Sequence, residues 1–214
     1  MTDRLNYTTS KSVVGVILAG GQSRRFGGGD KFLKELNGKL LIDHVIGRVS
    51  PQTSNLIINA NSNAALFKSQ NLPIIPDSIK GYAGPLAGIL TGMEWVLRFK
   101  PECEWIITFP SDAPFIPLDS AEKMMKCAKE EKANIVCSAS NGRTHPVCGL
   151  WQVGLAEDLR KAMINEEIRK IDLWTARYPS SIVEFSNQPF DPFFNINRPS
   201  DLERAEEILK SNEI

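Results

Sequence analysis

The sequence predicts an α/β protein built around a mostly parallel β-sheet. Short apolar runs alternate along the chain with longer segments that carry apolar residues at helical spacing. Alternation of this kind favours a parallel sheet that is covered by helices on both faces. The length of 214 residues fits one such domain, and the 42% apolar content is enough for an ordinary core. We therefore expect a single Rossmann-like domain of three layers.

The individual elements follow from the same periodicity. The predicted strands are Val13–Leu18, Leu56–Ala60, Leu72–Ile75, Trp105–Phe109, Ile135–Ser138, Val147–Trp151 and Ile182–Phe185. The predicted helices are Ile42–Val49, Leu86–Phe99, Leu118–Glu130 and Leu155–Ile164. A last helix begins at Pro199, because Asp201 and Glu203 would complement the helix dipole in its first turn. Ligands bind at the carboxyl ends of the strands in such sheets, so the residues just after each strand are the candidate site.

Charge and composition exclude several classes of partner. Lys plus Arg and Asp plus Glu both total 25, so the overall charge predicts neither nucleic acid binding nor attraction to an anionic membrane. No apolar run reaches the roughly 18 residues that a membrane span needs. The cysteines lack zinc-binding spacing, and we expect reduced thiols in a cytoplasmic protein. Residues 1–12 are polar and predict a flexible tail before a domain at 13–214.

A glycine-rich, basic segment follows the first predicted strand. It spans 18–31, reads LAGGQSRRFGGGDK and contains five glycines and three cations. Glycines let a backbone turn tightly with its amides pointing inward, and cations add positive charge where a polyanion would lie. The segment is not a Walker A motif, because Asp30 precedes Lys31, and it has no dinucleotide-binding register. We interpret it as a phosphate cradle; the alternative is a flexible surface loop.

Acidic and amide side chains follow three later strands. Asp112 ends an apolar strand, and Mg²⁺ commonly binds one or two carboxylates together with substrate phosphates. Asp112 is therefore a candidate metal ligand, although Asp is also common in turns and helix caps, and Asp119 lies nearer the next helix. Asn59 and Asp77 could reach a nucleoside at the sheet edge, but both residue types are also ordinary turn formers.

Taken together, these motifs resemble those of the molybdenum cofactor guanylyltransferases, within the larger group of nucleotidyltransferases that attach a nucleoside monophosphate to a phosphorylated acceptor. The resemblance covers the chain from about Val13 to Leu209, with two small departures. Phe26 stands where the family usually has Met, and Arg198 where it often has Thr. The matching motifs, in chain order, are Leu18-Ala19-Gly20-Gly21, Ser23-Arg24-Arg25, Gly27-Gly28, Asp30-Lys31, Asn59-Ala60-Asn61, Asp77, Gly84-Pro85-Leu86-Ala87-Gly88, Asp112-Ala113-Pro114, His145-Pro146 and Asn195-Ile196-Asn197.

The resemblance implies a fold of the nucleotidyltransferase type, an activity, and a role for each motif. The implied activity is transfer of GMP from GTP to molybdenum-loaded molybdopterin, which forms the guanine dinucleotide cofactor and pyrophosphate. Arg25, Lys31 and Asp112 would be catalytic, and Asp112 would bind Mg²⁺. The nucleotide-binding set would be Leu18, Ala19, Gly20, Gly21, Lys31, Asn59, Asp77, Gly84, Pro85, Leu86 and Asp112. His145, Asn195 and Asn197 would bind the acceptor, so that the N-terminal half holds the nucleotide and the C-terminal half molybdopterin.

Two other functions are open at this point. The first is a sister enzyme of the same fold that uses CTP, a sugar phosphate or another acceptor; the motifs at 59–61 and 84–88 favour guanine by resemblance. The second is a non-catalytic nucleotide-binding adaptor, against which Lys31 and Asp112 argue. Besides GTP and molybdopterin, the expected partners are molybdenum cofactor insertion proteins or molybdoenzymes, in transient contact.

Overall fold

Strands and helices alternate along the chain, as the apolar periodicity predicts. The computed structural model describes residues 13–20, 33–62, 64–81 and 84–212. The strands are β1 (Val13–Leu18), β2 (Glu35–Leu36), β3 (Lys39–Leu40), β4 (Asn55–Asn59), β5 (Ile74–Ile75), β6 (Trp105–Pro110), β7 (Ile135–Ser140), β8 (Arg143–Gln152) and β9 (Ser180–Phe185). The helices are α1 (Leu41–Val49), α2 (Pro85–Phe99), α3 (Ser120–Glu130), α4 (Ala156–Asn165), α5 (Ile171–Thr175) and α6 (Pro199–Asn212). The tail at 1–12 lies outside the described residues.

The main sheet has the strand order β5-β4-β1-β6-β8-β7-β9. Neighbouring strands from β5 through β6 run parallel, as do β7 and β9. Only β8 among these strands is antiparallel to its neighbours, β6 and β7. The prediction of a mostly parallel sheet is confirmed. Its carboxyl edge brings together the ends of β5, β4, β1 and β6, with the first residues of β8 beside them.

Helices cover both faces of this sheet. Val45 of α1 and Met124 of α3 are fully buried in one apolar cluster, and Ile89 of α2 and Leu159 of α4 are fully buried in a second cluster on the other face. Strand β1 is buried along its whole length. Its residues alternate between the two clusters, because successive side chains of a strand point to opposite faces of the sheet. This arrangement confirms the predicted three layers and holds the strand ends in fixed positions.

A third apolar cluster fixes the segments around the carboxyl edge. Its buried members are Leu36, Leu41, Phe115, Ile196 and Ala205. The cluster packs the β2–β3 hairpin, which follows the glycine-rich segment, against α6 and against the chain that follows β6. The chain that follows Asp112 and the segment that contains Asn195 and Asn197 are thereby held against each other and against the hairpin.

The ladder between β7 and β8 contains an irregularity. Gly149 lies opposite Cys137, whereas His145 lies opposite the next residue of β7, Ser138. Three residues of β8 therefore bulge out of the ladder: Pro146, Val147 and Cys148. The bulge changes the direction of β8, so that the first half of this strand lies at the carboxyl edge of the sheet.

Three features differ from the sequence prediction. The β2–β3 hairpin and α5 are additional elements, and the hairpin turns through Asn37 and Gly38, whose φ values of 51° and 75° are left-handed. β8 begins at Arg143 rather than Val147, because its first residues pair with β7 through backbone groups although their side chains are polar. Apolar periodicity predicts only the part of a strand whose side chains enter the core, so it misses the polar first half of β8.

Candidate functional site

The carboxyl ends of β4, β1 and β6 form a continuous backbone edge. The N–H of Ala19 donates to the carbonyl of Asn59 at 2.9 Å, and the N–H of Ser111 donates to the carbonyl of Leu18 at 3.3 Å. Leu18 and Ala19 are buried, and Gly20 is exposed where the chain leaves β1. The glycine-rich segment therefore starts between Asn59 and the residues that follow β6.

Several predicted ligands of the triphosphate lie within that segment. Gly21, Arg25 and Lys31 are outside the described residues, so their roles stay predictions. The structure describes both ends of the segment, Gly20 after β1 and Leu33 before the hairpin, and Leu33 packs against the first core cluster.

Asn59 and Asp77 are joined by hydrogen bonds at the ends of β4 and β5. The side-chain amide of Asn59 donates to Asp77 Oδ1 at 2.9 Å and to the carbonyl of Ile75 at 3.2 Å. Asn61 donates to Asp77 Oδ2 at 2.8 Å and accepts from the N–H of Asp77 at 2.9 Å. Asn59 is 4% exposed, whereas Asp77 is half-buried. Asn59 thus holds Asp77 in place, and Asp77 is the member of the pair with a surface for a ligand.

The predicted base-binding motif forms the start of α2. Gly84 is exposed and adopts φ 74°, which favours glycine, and Pro85 follows as the first helical residue. Leu86 is fully buried, backbone included, so Gly84 and Pro85 are the exposed residues at this helix start. One turn further along the helix, a Cβ at Gly88 would lie 2.4 Å from Asn59 Oδ1. The helix therefore approaches the Asn59–Asp77 pair more closely than any side chain at residue 88 would allow.

Asp112 lies in the turn that follows β6 and is half-buried. The first turn of α3 begins at Ser120, and the residue in the cap position is Asp119, which pairs with Lys123 at 2.8 Å. The interpretation of Asp112 as a cap of α3 is therefore wrong. Its backbone carbonyl accepts a hydrogen bond at 2.9 Å from the N–H of Ile196. This bond places the segment before α6 directly beside Asp112.

A cavity of about 150 Å³ opens next to this contact. It is lined by the end of β6, the first half of β8 and the segment before α6: Pro110, Arg143, Thr144, His145, Pro146, Val147, Cys148, Phe193 and Asn195. Two of the three predicted acceptor residues, His145 and Asn195, thus come together. Asn197 is exposed at the turn into α6, where its N–H donates to Asp201 at 2.7 Å.

Residues that sequence reasoning missed hold His145 in this cavity. Nε2 of His145 lies 2.8 Å from the hydroxyl of Ser140, and the same hydroxyl donates to Asp191 Oδ1 at 2.8 Å. The imidazole stacks on Phe193 with ring centroids 4.7 Å apart. Burial lowers the pKa of His145, so the ring is neutral near pH 7. The position of Ser140 at a strand end was the one signal in the sequence that could have indicated it.

Thr108 of β6 anchors the bulge that forms the cavity wall. Its hydroxyl, fully buried, lies 2.7 Å from the carbonyl of Val147 and accepts from Nε1 of Trp151 at 2.9 Å. Since one hydroxyl hydrogen is available, Thr108 donates to Val147 and accepts from Trp151. Thr108 and Trp151, two residues of the core, therefore hold the bulged segment in position.

Four features together are typical of nucleotidyltransferases: the sheet topology, a glycine-rich segment after β1, a carboxylate after β6 and an adjoining cavity. The chain matches the MobA-like NTP transferase domain over residues 15–178. The protein belongs to this family.

Named relatives agree with the family. A molybdenum cofactor guanylyltransferase of Rhodopseudomonas palustris (strain BisB5) is 47% identical over 193 residues, which cover 90% of this chain and 92% of the relative. One from Bradyrhizobium sp. (strain ORS 278) is 44% identical over 204 residues, which cover 95% and 96%. The crystal structure of molybdopterin-guanine dinucleotide biosynthesis protein A from Archaeoglobus fulgidus superposes with a TM-score of 0.72 at 27% identity, covering 92% of this chain and 99% of that one. The resemblance inferred from the motifs is confirmed.

Within the described ranges, no helix combines the length and the apolar character that a membrane crossing requires. The same residues contain no cluster of three or more His, Cys, Asp or Glu side chains that could enclose a metal ion. A lone carboxylate such as Asp112 is nevertheless a suitable donor for a hard cation that takes its other ligands from substrate phosphates and water.

Proposed function

We propose that this protein transfers GMP from GTP to the terminal phosphate of molybdenum-loaded molybdopterin, forming the guanine dinucleotide cofactor and pyrophosphate. One observation carries the proposal. The cavity that contains His145 and Asn195 adjoins Asp112, and the bond from Ile196 to the carbonyl of Asp112 joins the two sites. A donor bound along the carboxyl edge and an acceptor bound in the cavity would meet at the residues after β6. The names of the relatives, molybdenum cofactor guanylyltransferases, support a guanylyl donor and an acceptor from molybdenum cofactor synthesis.

The donor nucleotide would lie across the ends of β1 and β4. The exposed start of α2 supplies backbone groups at Gly84 for the base, and Asp77 is held by Asn59 at the neighbouring strand end. Arg25 and Lys31 would then bind the triphosphate from the glycine-rich segment, since cations offset phosphate charge. We therefore propose that the guanine lies on the α2 side and the phosphates on the β6 side.

The chemistry requires little from protein side chains beyond positioning. A non-bridging oxygen of the acceptor phosphate attacks the α-phosphorus of GTP, and the bond from the α-phosphorus to the bridging oxygen breaks to release pyrophosphate. The second pKa of a phosphate monoester is about 6, so the nucleophile is already ionised near neutrality. No general base is needed for this step. Rate enhancement comes from in-line placement and charge neutralisation.

Asp112 would hold the divalent cation, for which we propose Mg²⁺. Its carboxylate would lie between the proposed donor and acceptor sites, and carboxylate oxygens are the ligands that Mg²⁺ prefers. A cation bound there would neutralise charge that develops on the phosphates during transfer. The hydrogen bond from Ile196 holds the backbone of residue 112, from which the carboxylate would reach the cation.

We also propose that the protein works in the cytoplasm and meets molybdenum cofactor insertion proteins or molybdoenzymes transiently. The composition supports the first point through its balanced charge and its four free thiols. The open cavity supports the second, because the product must leave from an exposed edge of the sheet.

A direct test incubates the purified protein with Mg-GTP and molybdate-loaded molybdopterin, and separates the products by chromatography. The proposal predicts the guanine dinucleotide with one pyrophosphate for each product formed, and little product from CTP or ATP. Equal use of CTP would instead assign a cytidylyltransferase of the same fold. Tight GTP binding without any transfer would assign an adaptor.

A further inference from the structure

The residues behind His145 form a chain of hydrogen bonds that determines where the proton on its ring lies. Ser140 is 1% exposed at the end of β7, and its hydroxyl lies between His145 Nε2 and Asp191 Oδ1, 2.8 Å from each. The other bond of Asp191 Oδ1 comes from the N–H of Phe193 at 3.0 Å. Asp191 is therefore a fixed acceptor, placed by the chain that also carries Phe193.

The direction of each bond follows from the chemistry of the groups. A carboxylate only accepts hydrogen bonds, so the single hydrogen of the Ser140 hydroxyl is donated to Asp191. The contact between Ser140 and His145 must then be donated by the ring, from Nε2–H to the hydroxyl oxygen. A neutral imidazole carries one proton, so Nδ1 is left as an acceptor.

The set contains Ser, His and Asp, yet it cannot activate a serine nucleophile. In that chemistry the hydroxyl donates to the imidazole and the carboxylate accepts from its other nitrogen. Here the hydroxyl lies in the middle, is buried, and donates to Asp191. The order of the bonds gives Ser140 and Asp191 a positioning role instead.

The ring that they orient is a wall of the cavity. His145 stacks on Phe193 and lies at the edge of the β8 bulge, and no described residue is hydrogen-bonded to its Nδ1. We propose that Ser140 and Asp191 lock His145 as the neutral Nε2–H tautomer, so that Nδ1 accepts a hydrogen bond from an N–H group of the acceptor substrate.

Burial of the ring, rather than the sum of the charges around it, favours a neutral imidazole. Burial is the largest influence and lowers the pKa of His145; Asp191 and Glu184 raise it, and Arg143 lowers it. A neutral acceptor nitrogen attracts a donor and repels a phosphate oxyanion. The group recognised therefore carries a hydrogen-bond donor, and under the proposed function this donor is an N–H of the pterin ring. This assignment of substrate rests on the proposed function, whereas the tautomer does not.

The tautomer can be measured without any activity. Nitrogen-15 NMR of imidazole-labelled protein distinguishes a protonated from an unprotonated ring nitrogen, and a His44→Gln variant assigns the two histidines. We expect Nε2–H with unprotonated Nδ1 for His145 at pH 7.5, and loss of this preference in Ser140→Ala. Ser138→Ala is the matched control, because it removes another buried hydroxyl of β7 that contacts Met124 and Cys148 rather than His145.

Steady-state kinetics provides the second readout. Ser140→Ala should raise the KM for molybdopterin by roughly tenfold, as expected for one misplaced hydrogen bond, with the KM for GTP unchanged. If Ser140→Ala fails to fold by circular dichroism, Asp191→Ala tests the same relay from its other end. An Nδ1–H tautomer in the wild type, or an unchanged tautomer and KM in both variants, would overturn the inference. The expected tautomer in a protein that transfers no guanylyl group would overturn the proposed function and the pterin assignment, while supporting the relay.

Discussion

The backbone N–H of Ile196 donates a hydrogen bond to the backbone carbonyl of Asp112 at 2.9 Å. Ile196 is fully buried in the third apolar cluster, so this bond is sheltered from water and fixes the distance between two chain segments. The flanking Asn195 lines the cavity, and half-buried Asp112 lies in the turn that follows β6 at the carboxyl edge. The contact thus couples the predicted acceptor site to the predicted metal ligand through rigid backbone.

Replacing Asp112 by Asn should lower kcat by about a hundredfold or more, because charge neutralisation at the transferring phosphate is lost. The backbone bond to Ile196 survives this substitution, so the free energy of unfolding should change by less than about 1 kcal/mol. Asp119→Asn is the control, since it removes an acidic residue of the same loop that pairs with Lys123. Wild-type kcat in Asp112→Asn under saturating Mg²⁺ would refute the assignment.

Asn195→Ala should raise the KM for molybdopterin by up to about tenfold and leave GTP affinity and melting temperature unchanged, because its exposed side chain lines the cavity. The turn into α6 does not depend on that side chain, since Asp201 accepts from the N–H groups of Asn197 and Arg198 at 2.7 and 2.8 Å. Asp201→Ala should accordingly lower the melting temperature. Adding Asn197→Ala to Asn195→Ala tests the second predicted acceptor residue. Normal transfer by the double variant would end the acceptor assignment for both.

Gly88→Ala should destabilise the protein by about 1–3 kcal/mol, because the added Cβ would lie 2.4 Å from Asn59 Oδ1 and 2.6 Å from Leu18 Cδ2. Displacing Asn59 should also move Asp77 and raise the KM for GTP. Gly47→Ala in α1 is the matched helical control, since its Cβ would meet only the end of Lys39 at 3.7 Å. Urea denaturation of both variants measures the difference, which should be absent if α2 can shift freely.

Lys31→Ala should weaken binding of GTP much more than binding of guanosine, because a point charge at the end of the glycine-rich segment would meet the phosphates rather than the base. Isothermal titration calorimetry with the two ligands provides the comparison. Equal losses for both ligands would show that the segment is not a triphosphate cradle.

The fold could be predicted because the strands that set it are continuously apolar. β1 is buried throughout, and the predicted and observed bounds, Val13–Leu18, coincide. The same apolar strands also mark the sheet edge in the sequence. Asn59 ends one of them and Asp112 follows another, so both could be predicted to lie where ligands bind.

The cavity and its supporting contacts could not be predicted from the sequence. Ser140 and Asp191 are 51 residues apart, and neither lies in a motif that spacing would single out. The bulge in β8 depends on Thr108, a core residue whose hydroxyl finds its partner only when β6 and β8 pack. These features arise from tertiary packing, which the periodicity of apolar residues along the chain does not predict.

The position of bond cleavage in GTP tests the central claim most directly. Wild-type protein is incubated with Mg²⁺, molybdate-loaded molybdopterin, and GTP labelled in separate reactions at the α- or the γ-phosphate. Guanylyl transfer predicts that the α-label appears in the dinucleotide cofactor and that the γ-label appears entirely in pyrophosphate. Release of the γ-label as inorganic phosphate, with no α-label in the molybdopterin product, would contradict it.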